Sequence, residues 1–238
     1  MLKAIAILPC KDEEKSIKEV ILGLRKSKLD LEIVGIDDAS MDSTNSILQK
    51  YADKTITLKK HESLAEVIRI GLRYAIKKKP DLIIHIDVDG QYDPKDLKRL
   101  LEPIFANKAD IVIGDREVLK LRHMPFLKKA GNIFFSMLVS FIINKKINDS
   151  QSGFRVIRYH VATNLKLVSS YTYTHEEIIR ASYLGYRIIE VPISFRRRID
   201  GESRLISHLL TYGIKALLDI IKVAFAKQDT KSLKRKIE

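Results

Sequence analysis

Residues 82–91 read Leu82-Ile83-Ile84-His85-Ile86-Asp87-Val88-Asp89-Gly90-Gln91, a mostly apolar run that gives way to two carboxylates, a glycine and an amide. An apolar run this short, rich in β-branched residues, reads as a strand buried on both faces. Strands of that kind belong to parallel sheets covered by helices, where ligands bind beyond the carboxyl ends of the strands. Asp87 and Asp89 stand at such an end. Two carboxylates two residues apart, followed by a flexible Gly, can converge on one hard cation that keeps room for substrate phosphates. Gln91 offers a further amide oxygen.

Outward from this run, short β-branched segments at 4–8, 32–37, 55–58 and 111–113 alternate with helical spacing at 15–26, 43–52, 63–78 and 94–105. Asp93-Pro94 supplies an N-cap with proline in the first helical turn. The alternation predicts an α/β fold with a mostly parallel central sheet flanked by helices. After Gly114 the pattern changes to a basic loop, a strongly apolar helix over 126–144, strands at 187–191 and 193–197, and an amphipathic helix over 205–225. The chain divides into a main domain, 1–204, and a C-terminal amphipathic helix with a basic tail, 205–238.

Two further acidic groups fall on the same sheet edge. Ile36 is followed by Asp37-Asp38-Ala39-Ser40, which reads equally as a turn with an N-cap or as part of a ligand site. Leu8-Pro9-Cys10-Lys11-Asp12-Glu13-Glu14 leaves the first strand and enters the first helix. Acids there complement a helix dipole, and carboxylates on that edge also accept hydrogen bonds from ribose hydroxyls or a base N–H.

Composition narrows the partners. The 238 residues carry 43 Lys and Arg against 30 Asp and Glu, a formal net charge of +13 that favours anionic ligands. Residues 1–114 hold 20 basic and 19 acidic side chains, whereas 115–238 hold 23 and 11, so the excess belongs to the second half. A single cysteine, Cys10, excludes an internal disulfide framework and argues against structural zinc. The first residues lack the length and cleavage site of a secretory signal. The apolar run 133–143 is roughly 16 Å long as a helix, short of a ~30 Å hydrocarbon core. Aromatic residues are 7%, and the basic residues alternate with apolar segments rather than forming a nucleic-acid module, so no nucleic acid is expected as a partner.

Taken in order, these motifs resemble glycosyltransferase family 2 with the GT-A fold, and most closely its polyprenyl-phosphate branch of the dolichyl-phosphate mannose synthase kind. Leu8-Pro9 with Glu13-Glu14 is similar to the family's opening, with Lys11 and Asp12 where Tyr and Asn are usual. Asp37-Asp38-Ala39-Ser40 resembles its Asp-Asp-Gly-Ser block, with Ala39 for Gly. Asp87-Val88-Asp89-Gly90-Gln91 resembles its Asp-x-Asp metal motif. Gly114-Asp115-Arg116, Asp149-Ser150-Gln151-Ser152-Gly153-Phe154-Arg155, and Glu190-Val191-Pro192-Ile193 through Arg198 and Gly201-Glu202-Ser203-Arg204 are similar to its later blocks. His61-Glu62-Ser63-Leu64-Ala65 departs from the family's Asn and Gly-rich step.

The resemblance implies an inverting transfer of a hexose from a nucleotide sugar, of the GDP-mannose or UDP-glucose type, to dolichyl or polyprenyl phosphate. It implies Mg2+ or Mn2+ held by Asp87, Asp89 and Gln91. Pro9, Glu13, Asp37, Asp38 and Asp87 are then expected to bind the donor. Asp89, Arg116 and Arg198 are the expected catalytic residues, and Arg116, Lys128, Ser152, Arg155, Arg198, Ser203 and Arg204 the expected acceptor-phosphate set. An alternative keeps the fold but takes a hydroxyl acceptor, with Glu176 or Glu177 as the base. The apolar loop 123–127 with its flanking cations, and the basic C-terminal helix, suit peripheral contact at the cytoplasmic face of a membrane, with a separate membrane subunit or a homodimer as possible partners.

Overall fold

The computed structural model describes residues 2–198 and 209–226. Ser203, Arg204, the start of the predicted last helix and the basic tail lie outside the described residues. Seven strands form one sheet: β1 (Lys3–Cys10), β2 (Asp30–Asp37), β3 (Lys54–Thr57), β4 (Leu82–His85), β5 (Ile111–Asp115), β6 (Arg155–Arg158) and β7 (Ile188–Pro192). Their order is β3-β2-β1-β4-β6-β5-β7. The pairs β1/β2, β2/β3, β1/β4 and β5/β7 are parallel, as expected, while β6 runs antiparallel to both β4 and β5.

The two-residue period of a strand sorts β1 into two apolar layers. Ala4, Ala6 and Leu8 pack with α1 (Ile17–Leu24), Leu48 of α2 (Thr44–Tyr51) and α4 (Leu97–Phe105). Ile5 and Ile7 pack on the other face with α3 (Leu64–Lys78), and the same layer continues through α5 (Phe126–Ile143), α6 (Tyr159–Asn164), α7 (Tyr173–Tyr183) and α8 (Leu209–Phe225). Ile7 and Leu8 are wholly buried, each contributing about 1.5–3 kcal/mol of transfer free energy. From β1 the chain steps to β2 and β3 on one side and to β4 on the other. Strand order therefore reverses between β1 and β4, at the sheet edge that carries Cys10, Asp37 and Asp87.

Two expectations need correction. The predicted strand at 193–197 is an isolated bridge between Tyr92 and Phe195, because this segment is tethered to the loop after β4: Arg196 N–H donates to the Gln91 carbonyl at 2.8 Å and Ser194 N–H to Asp96 Oδ2 at 2.7 Å. The helix predicted from 94 opens as a 3-10 turn, Pro94–Asp96, capped by Asp93 as expected, before α4 begins. The helix expected over 126–144 is α5, whose 18 residues have a mean hydropathy of 1.5 and meet the length and composition of a membrane-crossing helix. Asn132, Phe135, Ser136 and Val139 nevertheless bury one side of α5.

Candidate active site

A cleft of about 480 Å³ opens over the carboxyl ends of β1 and β4. Its first wall is the end of β1, with Pro9 and Cys10, and the loop after it, with Lys11 and Glu13. This loop is laced to residues 40–44: Asp12 N–H donates to Ser40 Oγ (3.0 Å), Glu13 N–H to Thr44 Oγ1 (2.7 Å), and Ser43 N–H to Glu14 Oε2 (2.9 Å). Asp37 belongs to the same scaffold. Its carboxylate accepts from Ser40 N–H (3.1 Å) and from Asn45 Nδ2 (2.7 Å), it is buried, and it does not line the cleft. Of the acidic pair after β2, only Asp38 reaches the cleft, where it meets His61 Nδ1 at 2.5 Å and accepts Glu62 N–H at 2.8 Å. His61 and Glu62 themselves line the cleft, in the segment that departs from the family pattern.

Asp87, Asp89 and Gln91 line the floor. Burial first, and then the charge of Asp89, push the Asp87 carboxyl up to about 7. Burial also raises Asp89, against the pull of the Gln91 N–H (3.1 Å) and Arg198. Two neighbouring carboxylates in a place that disfavours their charge are stabilised by a cation. Among the described residues no third acid, His or Cys completes a metal-holding group with them. The residues fit a hard divalent ion that takes its remaining ligands from phosphate oxygens and water, and they do not form a closed cage. Gly153 backs this floor: a Cβ there would stand 2.5 Å from Asp87 Oδ2, so no larger residue allows the approach. Its N–H donates to Tyr92 Oη at 2.9 Å, which fixes the loop.

Facing the carboxylates are Arg116, Lys128 and Arg198. Arg116 leaves the end of β5 and is held by Asp149, with Nε to Oδ2 at 2.6 Å and Nη2 to Oδ1 at 2.8 Å, and by Asn132 Oδ1 at 2.8 Å. Its guanidinium lies 5.1 Å from the Phe195 ring centroid. Burial works against the Arg116 charge, but Asp149 more than compensates and raises its pKa. Burial likewise opposes the Asp149 charge, and Arg116 holds that carboxyl below the usual range. Lys128, from the first turn of α5, is lowered by burial and by Arg116. Arg198 bonds Glu13 and lies 3.9 Å from Asp89 Oδ2, bridging the first wall and the floor.

Two expected phosphate ligands are elsewhere. Arg155 is wholly buried, with Nε on the Ser152 carbonyl, Nη1 on the Thr174 carbonyl and Glu177, and Nη2 on the Ser150 carbonyl. It braces the 150–153 loop from behind and does not line the cleft. Ser152 is buried beside it. The two carboxylates considered as bases are also engaged: Glu177 pairs with Arg155 at 2.9 Å, and Glu176 accepts from Val168 and Ser169 N–H and from Arg180. Neither lines the cleft. Residues that sequence reasoning passed over are Asn132, Asp149 as the partner of Arg116, Tyr92 and Phe195. Asn132 had a signal, as a lone amide inside an apolar helix. Phe195 had none.

A single sheet covered by helices on both faces, with Asp-x-Asp at its switch point and a cationic wall opposite, is the arrangement of the GT-A fold. Residues 5–164 match the profile described as Glycosyl transferase family 2, and the chain belongs to that family and is an enzyme of it. It is 31% identical over 92% of its length to an uncharacterized protein of Methanocaldococcus jannaschii, covering 96% of that protein. It is 28% identical to the undecaprenyl-phosphate mannosyltransferase of Micrococcus luteus, over 86% of this chain and 88% of the other. Among solved structures it is similar to glucosyl-3-phosphoglycerate synthase of Mycobacterium tuberculosis in complex with Mn2+, UDP-glucose and phosphoglyceric acid. That match has a TM-score of 0.72 at 14% identity, covering 94% of this chain and 80% of that one, and it supports the GT-A fold.

Proposed function

We propose that this enzyme transfers a hexose, with inversion, from a nucleotide diphosphate sugar to the phosphate of a dolichyl or polyprenyl phosphate at the cytoplasmic face of a membrane. The observation that carries the reading is the opposition of Asp87 and Asp89 to Arg116, Lys128 and Arg198 across one cleft. An alcohol acceptor needs a base to remove its proton, whereas a phosphate is already anionic at neutral pH and needs cations to approach a diphosphate. Glu176 and Glu177, the bases considered for an alcohol, are held by other partners, which favours the phosphate reading. The polyprenyl-phosphate name of the Micrococcus relative points to the same acceptor class.

Asp87, Asp89 and Gln91 would hold Mg2+ or Mn2+, which when bound neutralises charge on the departing diphosphate. Glu13 and Asp38 face the donor's nucleoside end as hydrogen-bond acceptors. Arg116, kept charged and oriented by Asp149, presents its guanidinium to the acceptor phosphate. Lys128 adds a second positive charge, and Arg198, beside Glu13 and Asp89, a third.

Asp89→Asn tests the floor: transfer should fall about a thousandfold, as when a transition-state electrostatic partner is removed, with thermal unfolding unchanged. Wild-type turnover in that variant, or turnover of the native enzyme unaffected by a chelator, would remove the metal role.

A further inference from the structure

Residues 168–172, between α6 and α7, are exposed at Val168, Ser170 and Tyr171 yet are held by side chains of three helices. Glu176 of α7 accepts the Val168 N–H at 2.9 Å and the Ser169 N–H at 2.7 Å, and Arg69 of α3 donates to the Ser169 carbonyl at 2.6 Å. Asp219 of α8 accepts the Tyr171 N–H at 3.1 Å and the Ser169 hydroxyl, both at Oδ2. Lys215, one turn before Asp219, donates to Tyr171 Oη at 2.5 Å and lies 4.6 Å from the centroid of its ring. Exposed loops ordinarily leave their backbone groups to water and move accordingly. Here the protein itself fixes the backbone, and Lys215 fixes the Tyr171 ring.

What is held in this way is part of the cleft, which Ser170 and Tyr171 line. The nucleoside end, the floor and the cationic wall all carry charge. By contrast, Ser63 and Leu64 at the start of α3, together with Ser170, Tyr171 and Thr174, line the cleft without any. Arg69, in the second turn of α3, ties these two stretches together through the Ser169 carbonyl. Neutral hydroxyls beside an aromatic ring and a leucine match a hexose, which offers hydroxyls at its rim and C–H groups on its face. They match neither a diphosphate nor a lipid phosphate, both of which call for cations.

The geometry points to residues 170–171 as a wall of the subsite for the transferred hexose, with Tyr171 as a specificity-determining residue and Asp219 of α8 as the positioning residue that holds it. This rests on the reading of the reaction as hexosyl transfer, and not on the choice of acceptor. Both bonds from the loop to Asp219 end on Oδ2, so an amide oxygen in the same place can accept them. The positioning role therefore needs an acceptor at 219 and no charge.

The test is titration calorimetry of the full chain with Mn2+ and, in turn, UDP-glucose, GDP-mannose, UDP and GDP. Tyr171→Ala should weaken the nucleotide sugar that the wild type binds about tenfold, and leave the matching nucleoside diphosphate within about twofold. Asp219→Ala, which removes two hydrogen bonds from the loop, should weaken the nucleotide sugar about thirtyfold, whereas Asp219→Asn should stay within about threefold of wild type. Hydrogen exchange should show peptides covering 168–172 losing protection in Asp219→Ala and keeping it in Asp219→Asn, with β1 and β4 unchanged in both. Equal weakening of nucleotide sugar and nucleoside diphosphate would give the wall to the nucleoside and overturn the assignment. Unchanged donor binding in Tyr171→Ala and Asp219→Ala, or a loss confined to the KM for prenyl phosphate, would overturn it too. A wild-type chain that binds neither nucleotide sugar would overturn this assignment and the proposed donor together. The expected pattern without transfer to any prenyl phosphate would reject the proposed acceptor and leave the hexose wall standing.

Discussion

Arg116 and Arg155 sit in two blocks of the same motif series, and in sequence they are equivalent candidates. Both are buried and both pair with a buried carboxylate, Arg116 with Asp149 at 2.6 Å and Arg155 with Glu177 at 2.9 Å. Their surroundings differ. Arg116 lies against an aromatic ring on the wall of the cleft, while Arg155 donates to three backbone carbonyls and Glu177 behind the floor. A shared motif therefore covers two kinds of arginine, one available to a ligand and one that holds the loop backing Asp87.

The contrast is broken most severely by Arg155→Met, which leaves the Glu177 charge buried without its partner. The expected cost is about 3–5 kcal/mol in urea unfolding, and much of it should return in the Arg155→Met/Glu177→Met double variant. A loss below about 1 kcal/mol in the single variant would mean that Arg155 is not a structural brace. Arg116→Lys probes the other side. The ammonium keeps a positive charge beside Asp149 but lacks the planar fork, so kcat/KM for the acceptor should drop about a hundredfold with little change in unfolding. Equal losses of stability in both arginine variants would erase the distinction.

Histidines sharpen the comparison, because His85 and His175 are buried beside Arg155 and Glu177 with neither ring nitrogen hydrogen-bonded among the described residues, His85 Nδ1 standing 3.9 Å from Glu177. Burial lowers His85 to about 4 and His175 to about 3, with the Arg155 charge adding to the effect in both. Their depressed values mean that between about pH 6.5 and 4 the unfolded chain takes up protons that the native state refuses. Stability should therefore fall as pH falls through that window, by about 3 kcal/mol for each ring at pH 4. His175→Phe, packed against Phe135 as the imidazole is, should flatten about half of that slope in urea titrations at pH 7 and pH 4.5. An unchanged slope would contradict the buried neutral state.

The smallest effect concerns Ala39, which follows Asp38 with φ of 52°. A left-handed conformation costs a non-glycine residue roughly 1–2 kcal/mol, partly offset by the larger unfolded-state entropy of glycine. Ala39→Gly should raise stability by about 0.5–1 kcal/mol in thermal unfolding without altering transfer, and a destabilised variant would show that the turn tolerates the Cβ.

The sheet was legible where burial is uniform. β1, β2, β4 and β5 are apolar runs, so periodicity and length located them within a few residues. β6 escaped because its four residues are bounded by Arg155 and Arg158, and charges at both ends conceal a strand whose Val156 and Ile157 are fully in the core. Segment 193–197 misled for the converse reason: its alternation is real, but hydrogen bonds to the loop after β4 hold it outside the sheet. In the site, Asp87 and Asp89 could be read from their position after a strand. Asp37 and Arg155 could not be separated from Asp38 and Arg116 by sequence, since side chains on other elements, Asn45 of α2 and Glu177 of α7, determine which polar groups are already occupied. The charge division read from the sequence acquires a spatial meaning here: the acidic floor comes from the first half, and Arg116, Lys128 and Arg198 all come from the second.

The proposed reaction is tested most directly by offering the enzyme a panel of labelled nucleotide sugars with a polyprenyl phosphate and, in parallel, with the corresponding polyprenol, each with Mg2+ or Mn2+ present. The cationic wall and the engaged Glu176 and Glu177 predict label in the phosphate lipid only, released by mild acid. Transfer to the alcohol at a comparable rate, or none to the phosphate with any donor, would contradict the account.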